Sequence, residues 1–168
     1  DSGSSLTQTA GALVLGNNAG VTGTLSVTSA ARATHALQTA ELRIGNFGSG
    51  TFEANTTTVA SSYVFLGHYA ASSAGNTATL DNSVWNIAGN LDVGYGGQGS
   101  VILKNSAVTA TGNVVLGNGN GAQGSMDLQP GSTLSGTQLL IGSMGQGTLT
   151  ADGASTSITA SGVVIGDA

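Results

Sequence analysis

The 168-residue chain holds 28 Gly, one Pro, one Trp and no Cys, with 7% charged residues and a net charge of −5. Three Lys and Arg cannot build the basic cluster that nucleic-acid binding needs, so no nucleic-acid partner is expected, and no apolar run approaches the ~18 residues of a membrane span. Hydrophobic residues still make up 39% and recur regularly, which argues for an ordered core rather than disorder.

The first regular element is Leu13-Val14-Leu15-Gly16, an apolar–any–apolar–Gly landmark. It returns as Leu42 to Gly45, Val64 to Gly67, Leu91 to Gly94, Val114 to Gly117, Leu139 to Gly142 and Val163 to Gly166. The Gly-to-Gly spacings are 29, 22, 27, 23, 25 and 24, so a unit of 25 residues on average repeats along almost the whole chain. A second landmark follows each of the first six: Gly or Asn, Ser or Thr, then apolar–any–apolar, as in Gly23 to Val27 and Gly99 to Leu103. Its apolar column reads Leu25/Val27, Phe52/Ala54, Ala78/Leu80, Val101/Leu103, Met126/Leu128 and Leu149/Ala151, a period-2 alternation that predicts half-buried strands. A third strand is expected at Val84 to Ile87, Ala107 to Ala110 and Ser157 to Ala160, with Trp85 and Ile87 facing inward.

The distance between the two landmarks is 7, 5, 9, 5, 7 and 5 residues, changing only in steps of two. A strand exchanges its faces on a one-residue shift, so even insertions preserve which side chains face inward. The rest of the unit runs 22, 17, 18, 18, 18 and 19 residues; the long first value places an insertion around Ala30 to Ala40, expected as a protruding loop. Units this short bury a core only by stacking. The expected fold is therefore all-β: one parallel β-solenoid (β-helix) domain over residues 1–168, right-handed by analogy with parallel crossovers, with about 25 residues per coil and about seven coils. Gly should mark corners that need positive φ, with Asn17, Asn46 and Asn118 beside them suited to left-handed turns. Propeller blades need ~40–50 residues, too many for this repeat.

Leu140 to Thr150 (LIGSMGQGTLT) resembles the repeat of bacterial autotransporter (type V secretion) passengers and PEP-CTERM-associated surface proteins, and Leu42 to Phe52 and Leu91 to Leu103 follow the same pattern. The resemblance extends from Leu13 to Gly166. It implies export across an outer membrane, a secreted or cell-surface location, and a β-helical passenger of which this chain is a fragment.

Chemistry-bearing residues are sparse. Asp1, Glu41, Glu53, Asp81, Asp92, Asp127, Asp152 and Asp167 do not align in adjacent coils as the paired carboxylates of a glycosidase would; Asp81 instead aligns with Lys104 as a cross-coil ion pair. His35 and His68 lie in different segments, with no metal-ligand or nucleophile constellation. No catalytic residue, metal or cofactor is expected. Gly96 to Gly99 lacks the Asp of a calcium repeat, since Val101 stands in its place. The aromatic residues form the one suggestive group. His68 and Tyr95 share the position after the landmark Gly, Phe47 and Tyr69 the next one, and Phe65 should point outward between Arg43 and Asp92. Such a group either stabilises a corner by stacking or contacts a sugar or protein surface. Thr-x-Thr pairs at Thr22/Thr24, Thr77/Thr79, Thr109/Thr111 and Thr148/Thr150 fall in different columns, unlike a flat ice-binding ladder. The expected role is a non-enzymatic structural or adhesive segment, with a host or matrix glycan or protein as partner and end-to-end self-association through its terminal coils. An ice-binding solenoid and a carbohydrate-active β-helix are the alternatives.

Overall fold

The computed structural model describes residues 6–69 and 75–166, and for 30–36 the backbone alone. His35 therefore lies outside the described side chains. Among the described residues thirteen strands run β1 (Leu6–Leu15), β2 (Thr22–Ile44), β3 (Ser49–Leu66), β4 (Thr77–Asp81), β5 (Val84–Ile87), β6 (Leu91–Val93), β7 (Gln98–Lys104), β8 (Ala107–Ala110), β9 (Val114–Leu116), β10 (Gln123–Leu128), β11 (Thr133–Ile141), β12 (Gln146–Ala151) and β13 (Ser157–Ile165). No helix occurs among the described residues.

All the strand pairings are parallel and join one coil to the next. The second-landmark strands align Leu25, Phe52, Ala78, Val101, Met126 and Leu149 in one column. The first-landmark strands align Leu13, Leu42, Val64, Leu91, Val114, Leu139 and Val163. Seven landmarks thus bound six turns of a β-solenoid, not seven coils, because the last landmark only closes the sixth turn. At ~4.8 Å per step these turns make a stack about 30 Å tall.

Each coil has three sides, and their inward columns meet in one apolar core. Phe52, Leu80, Leu91, Leu103, Leu116 and Met126 are all essentially inaccessible to solvent. Trp85 packs on Phe52 at 5.3 Å between ring centroids, and its Nε1 donates to Ser61 Oγ at 3.1 Å, which satisfies the one polar atom this large side chain brings inside.

Two corners require left-handed backbone. At the first, the landmark Gly turns from the first strand into the second; Gly94 has φ 68°, and a Cβ there would run into the carbonyl of Gln123 in the next coil. The Asn residues after the landmark Gly residues are not the left-handed ones. Asn46 instead donates through Nδ2 to Asn17 Oδ1 (2.9 Å) and Asn118 through Nδ2 to Asp92 Oδ1 (2.7 Å), because the Gly before each has already made the turn. The second corner uses Thr56, Asn82, Asn105, Gly131 and Ser155, with φ between 46° and 78°. There the following residue is Ser or Thr, and at Ser83, Ser106 and Ser132 its hydroxyl replaces part of the strand ladder. The amides of Thr57, Ser83 and Ser106 donate to the hydroxyls of Ser83, Ser106 and Ser132 in the next coil, at 3.2, 3.0 and 3.4 Å. The hydroxyls of Ser83 and Ser106 in turn donate to the carbonyls of Asp81 (2.8 Å) and Lys104 (2.7 Å).

The insertion expected as a protruding loop is absorbed differently. The backbone of β2 remains strand throughout, and the register with β3 shifts between Thr28 and Ala33 and again between Ala33 and Leu37. Extra residues taken up as bulges keep Leu37 and Leu42 in the core columns on the far side.

Candidate functional site

Two outward-facing regions concentrate polar and aromatic side chains. The first is the aromatic corner after the landmark Gly. Backbone bonds from His68 N to Gly45 O (2.9 Å) and from Tyr69 N to Asn46 O (3.2 Å) fix successive coils in register there. That register brings all five aromatic candidates together. Phe47 and Tyr69 stack face to face at 4.3 Å with 8° between planes; His68 and Tyr95 stack at 5.2 Å with 13°. Phe65 meets both His68 and Tyr95 edge-on at 5.1 Å, and His68 meets Tyr69 edge-on at 4.3 Å. Phe65 lies between Arg43 and Asp92 in the strand register, as its spacing predicts. Phe47, Tyr69 and Tyr95 remain about 40% exposed. The two stacks cover one face of each of the four paired rings.

Charged groups flank Phe65 in the strand register, Arg43 on one side and Asp92 on the other. Arg43 Nε donates to Glu41 Oε1 two residues earlier on the same side of β2. Burial, and then the Arg43 charge, hold His68 below the usual imidazole value, with Glu41 pulling it back up. The His68 Nδ1 is buried without a partner among the described residues. Asp92, outward by strand parity, is only 3% exposed. Burial pushes its carboxyl up to about 6, against the hydrogen bond from Asn118 that favours the charged form.

The expected ion pair between Asp81 and Lys104 does not form, although the two residues are in register. Asn82 Nδ2, placed by its left-handed backbone, donates to Asp81 Oδ1 at 2.7 Å and takes the carboxylate first. An exposed Lys–Asp pair would gain at most about 1 kcal/mol, too little to compete with so local a partner. Among the described residues no group of three His, Asp or Glu is placed to hold a metal ion.

The second region is the outer face of the second-landmark strands. Thr24, Thr51, Thr77, Ser100, Ser125 and Thr148 form one uninterrupted hydroxyl column. Three of the Thr-x-Thr pairs therefore contribute to the same column, through Thr24, Thr77 and Thr148. The neighbouring column, Ser26, Glu53, Thr79, Ile102, Asp127 and Thr150, is broken by charge and by Ile as its sequence predicts. On the other flank Gln98, Gln123 and Gln146 stand in register. Between the glutamines and the hydroxyls runs an open groove of about 240 Å³. Asn76 pins its end, where it occupies the position that Gly holds in the other coils. Its buried Oδ1 accepts from Gly50 N (2.9 Å) and its Nδ2 donates to Gln98 O (2.8 Å).

The architecture defines the chain as a parallel β-solenoid. No family model, curated protein or solved structure matches it in comparisons of sequence and fold.

Proposed function

We propose that the chain is a non-enzymatic structural and adhesive segment of a bacterial secreted or cell-surface protein, of the kind its repeat resembles in autotransporter passengers and PEP-CTERM-associated proteins. The observation that supports this reading is the unbroken register of the core columns through six turns, with length variation confined to corners and bulges. A stack of this kind projects a surface away from its anchor, and every coil presents side chains in fixed rows. The aromatic corner of Phe47, Phe65, His68, Tyr69 and Tyr95 is the contact surface in this reading. Its exposed aromatic residues Phe47, Tyr69 and Tyr95 suit an extracellular-matrix protein, because aromatic groups with a polar handle dominate protein contact surfaces.

Binding to immobilised collagen tests the contact. The double variant Phe47→Ser/Tyr69→Ser should bind about tenfold more weakly, as expected for loss of a contact anchor, with an unchanged far-ultraviolet spectrum. Binding that survives the change removes the aromatic corner from the proposal. Turnover in a reducing-sugar release screen, abolished by changing one Asp or Glu, would overturn the non-enzymatic reading. Self-association belongs to the same proposal: the last turn leaves Ile158, Val163 and Ile165 at 39%, 57% and 74% exposure beside unpaired strand edges. Sedimentation over a wide concentration range should show stacking; a strict monomer at high concentration would exclude it.

A further inference from the structure

We infer that the groove on the outer face of β7, β10 and β12 is a binding site for a neutral, unbranched β-linked oligosaccharide lying along the solenoid axis. This goes beyond the adhesive reading: it concerns another face of the coil and another class of ligand, and it does not depend on the aromatic corner.

The chemistry of the lining narrows the ligand. Gln98, Gln123 and Gln146 supply amides, and Ser100, Ser125 and Thr148 supply hydroxyls; no residue lining the groove is charged. Among the described residues, none of these six side chains makes a hydrogen bond to the protein. Their donors and acceptors are therefore free for a partner that offers both, as sugar hydroxyls do. A phosphate, a sulfated chain or a nucleic acid would find no cation there. An apolar peptide or lipid would leave the same groups dehydrated and unpaired, which opposes its binding.

The geometry narrows it further. Parallel in-register strands repeat the same amide–hydroxyl pair at each coil, about every 4.8 Å. A polymer whose own residues advance by a similar length meets identical partners at successive coils. An extended β-linked glycan does so; a compact protein surface does not. The Gln row begins at Gln98 because the preceding coil has Gly75 in that column, so the groove opens towards Gly75 and continues past three amides to Gln146. That length accommodates about three to four sugar residues at ~4.8 Å each. Shallow open grooves bind a chain weakly at each subsite, so affinity should accumulate with chain length.

Isothermal titration with cellohexaose, mannohexaose and xylohexaose, and with the matching di- and trisaccharides, tests the site. At least one hexasaccharide should bind, at least about tenfold more tightly than its disaccharide, with an affinity insensitive to raising salt from low to high ionic strength. Gln123→Ala/Ser125→Ala should weaken that binding about tenfold, since two exposed hydrogen-bonding groups are lost. Its thermal melt should match the parent, because both side chains face outward. Tyr69→Ser, on the aromatic corner, should leave it unchanged. The inference is overturned if none of the three hexasaccharides binds, if affinity is independent of chain length, or if Tyr69→Ser rather than the groove variant abolishes it. Failure of collagen binding would leave these results untouched, so the two readings fall separately.

Discussion

Val93 and Ile165 lie in one column of the landmark strands, yet the valine is fully buried and the isoleucine 74% exposed. The difference is not in the residues but in what stacks against them. Val93 has Leu66 on one side and Leu116 on the other; Ile165 has Ile141 on one side only. A coil of this fold has no inside of its own, and burial is conferred by its two neighbours. The same column therefore passes from fully buried Leu116 through half-buried Ile141 to exposed Ile165.

Asp introduced at two positions of a single column should break the symmetry most sharply. Leu103, Leu128 and Ala151 share a column, Leu103 being fully buried and Ala151 exposed. Leu103→Asp puts an unpaired charge into the dry stack and should remove on the order of 5 kcal/mol, enough to melt the central coils. Ala151→Asp should change stability by no more than about 0.5 kcal/mol. Equal melting temperatures for the two would mean that position along the stack does not govern burial.

Truncation gives a graded version. Leu116→Ala should cost about 2–5 kcal/mol in urea melts, the range for a buried Leu that leaves a cavity. Ile165→Ala should again stay within about 0.5 kcal/mol. A large effect at Ile165 would show that a second copy covers it in solution, and the effect should then vary with protein concentration.

Asp92 supplies the smallest and most specific test, because its contribution depends on pH. Its folded value is about 6 against an ordinary carboxyl value of 3.8, so between about pH 4 and 6 the native state holds a proton that the unfolded chain releases. Stability from this group is present below that window and is lost as pH rises through it. His68 acts in the opposite sense: its lowered value means that the unfolded chain takes up a proton first, so its contribution is lost as pH falls. Comparing wild type with Asp92→Asn at each pH isolates the first effect. The variant should be more stable at pH 7–8 by on the order of 2 kcal/mol, and the difference should vanish towards pH 4. A difference that stays constant from pH 4 to 8 would mean that the carboxyl is solvated.

The repeat made the architecture legible, since strand parity alone places Leu103, Trp85 and the landmark Leu, Val and Ile residues inward. It also predicts the meeting of Phe47 with Tyr69 and of His68 with Tyr95, because equal offsets from a Gly become vertical neighbours. What it could not supply was competition between partners: Asp81 aligns with Lys104 but bonds to Asn82, and Asp92 sits on an outward position that Asn118 helps to close. Two features carried signals that parity does not weigh. Ser or Thr follows each left-handed residue of the second corner, at Thr57, Ser83, Ser106, Ser132 and Thr156. Gln98, Gln123 and Gln146 each stand one residue before the Gly of their strand, and it takes the stacked coils to turn that recurrence into a groove wall.

The serine corner also has a direction. Each hydroxyl serves an amide that belongs to the preceding coil: Ser106 receives the N–H of Ser83, and Ser132 that of Ser106. Replacing Ser106 by Ala would leave residue 106 itself still donating to Ser132, while the amide at Ser83 loses its acceptor in a buried place. A lesion written in one turn is thus felt one turn earlier in the chain. Damage in this molecule travels towards the N-terminus, and faster hydrogen exchange at Ser83 than at Ser106 would be its trace.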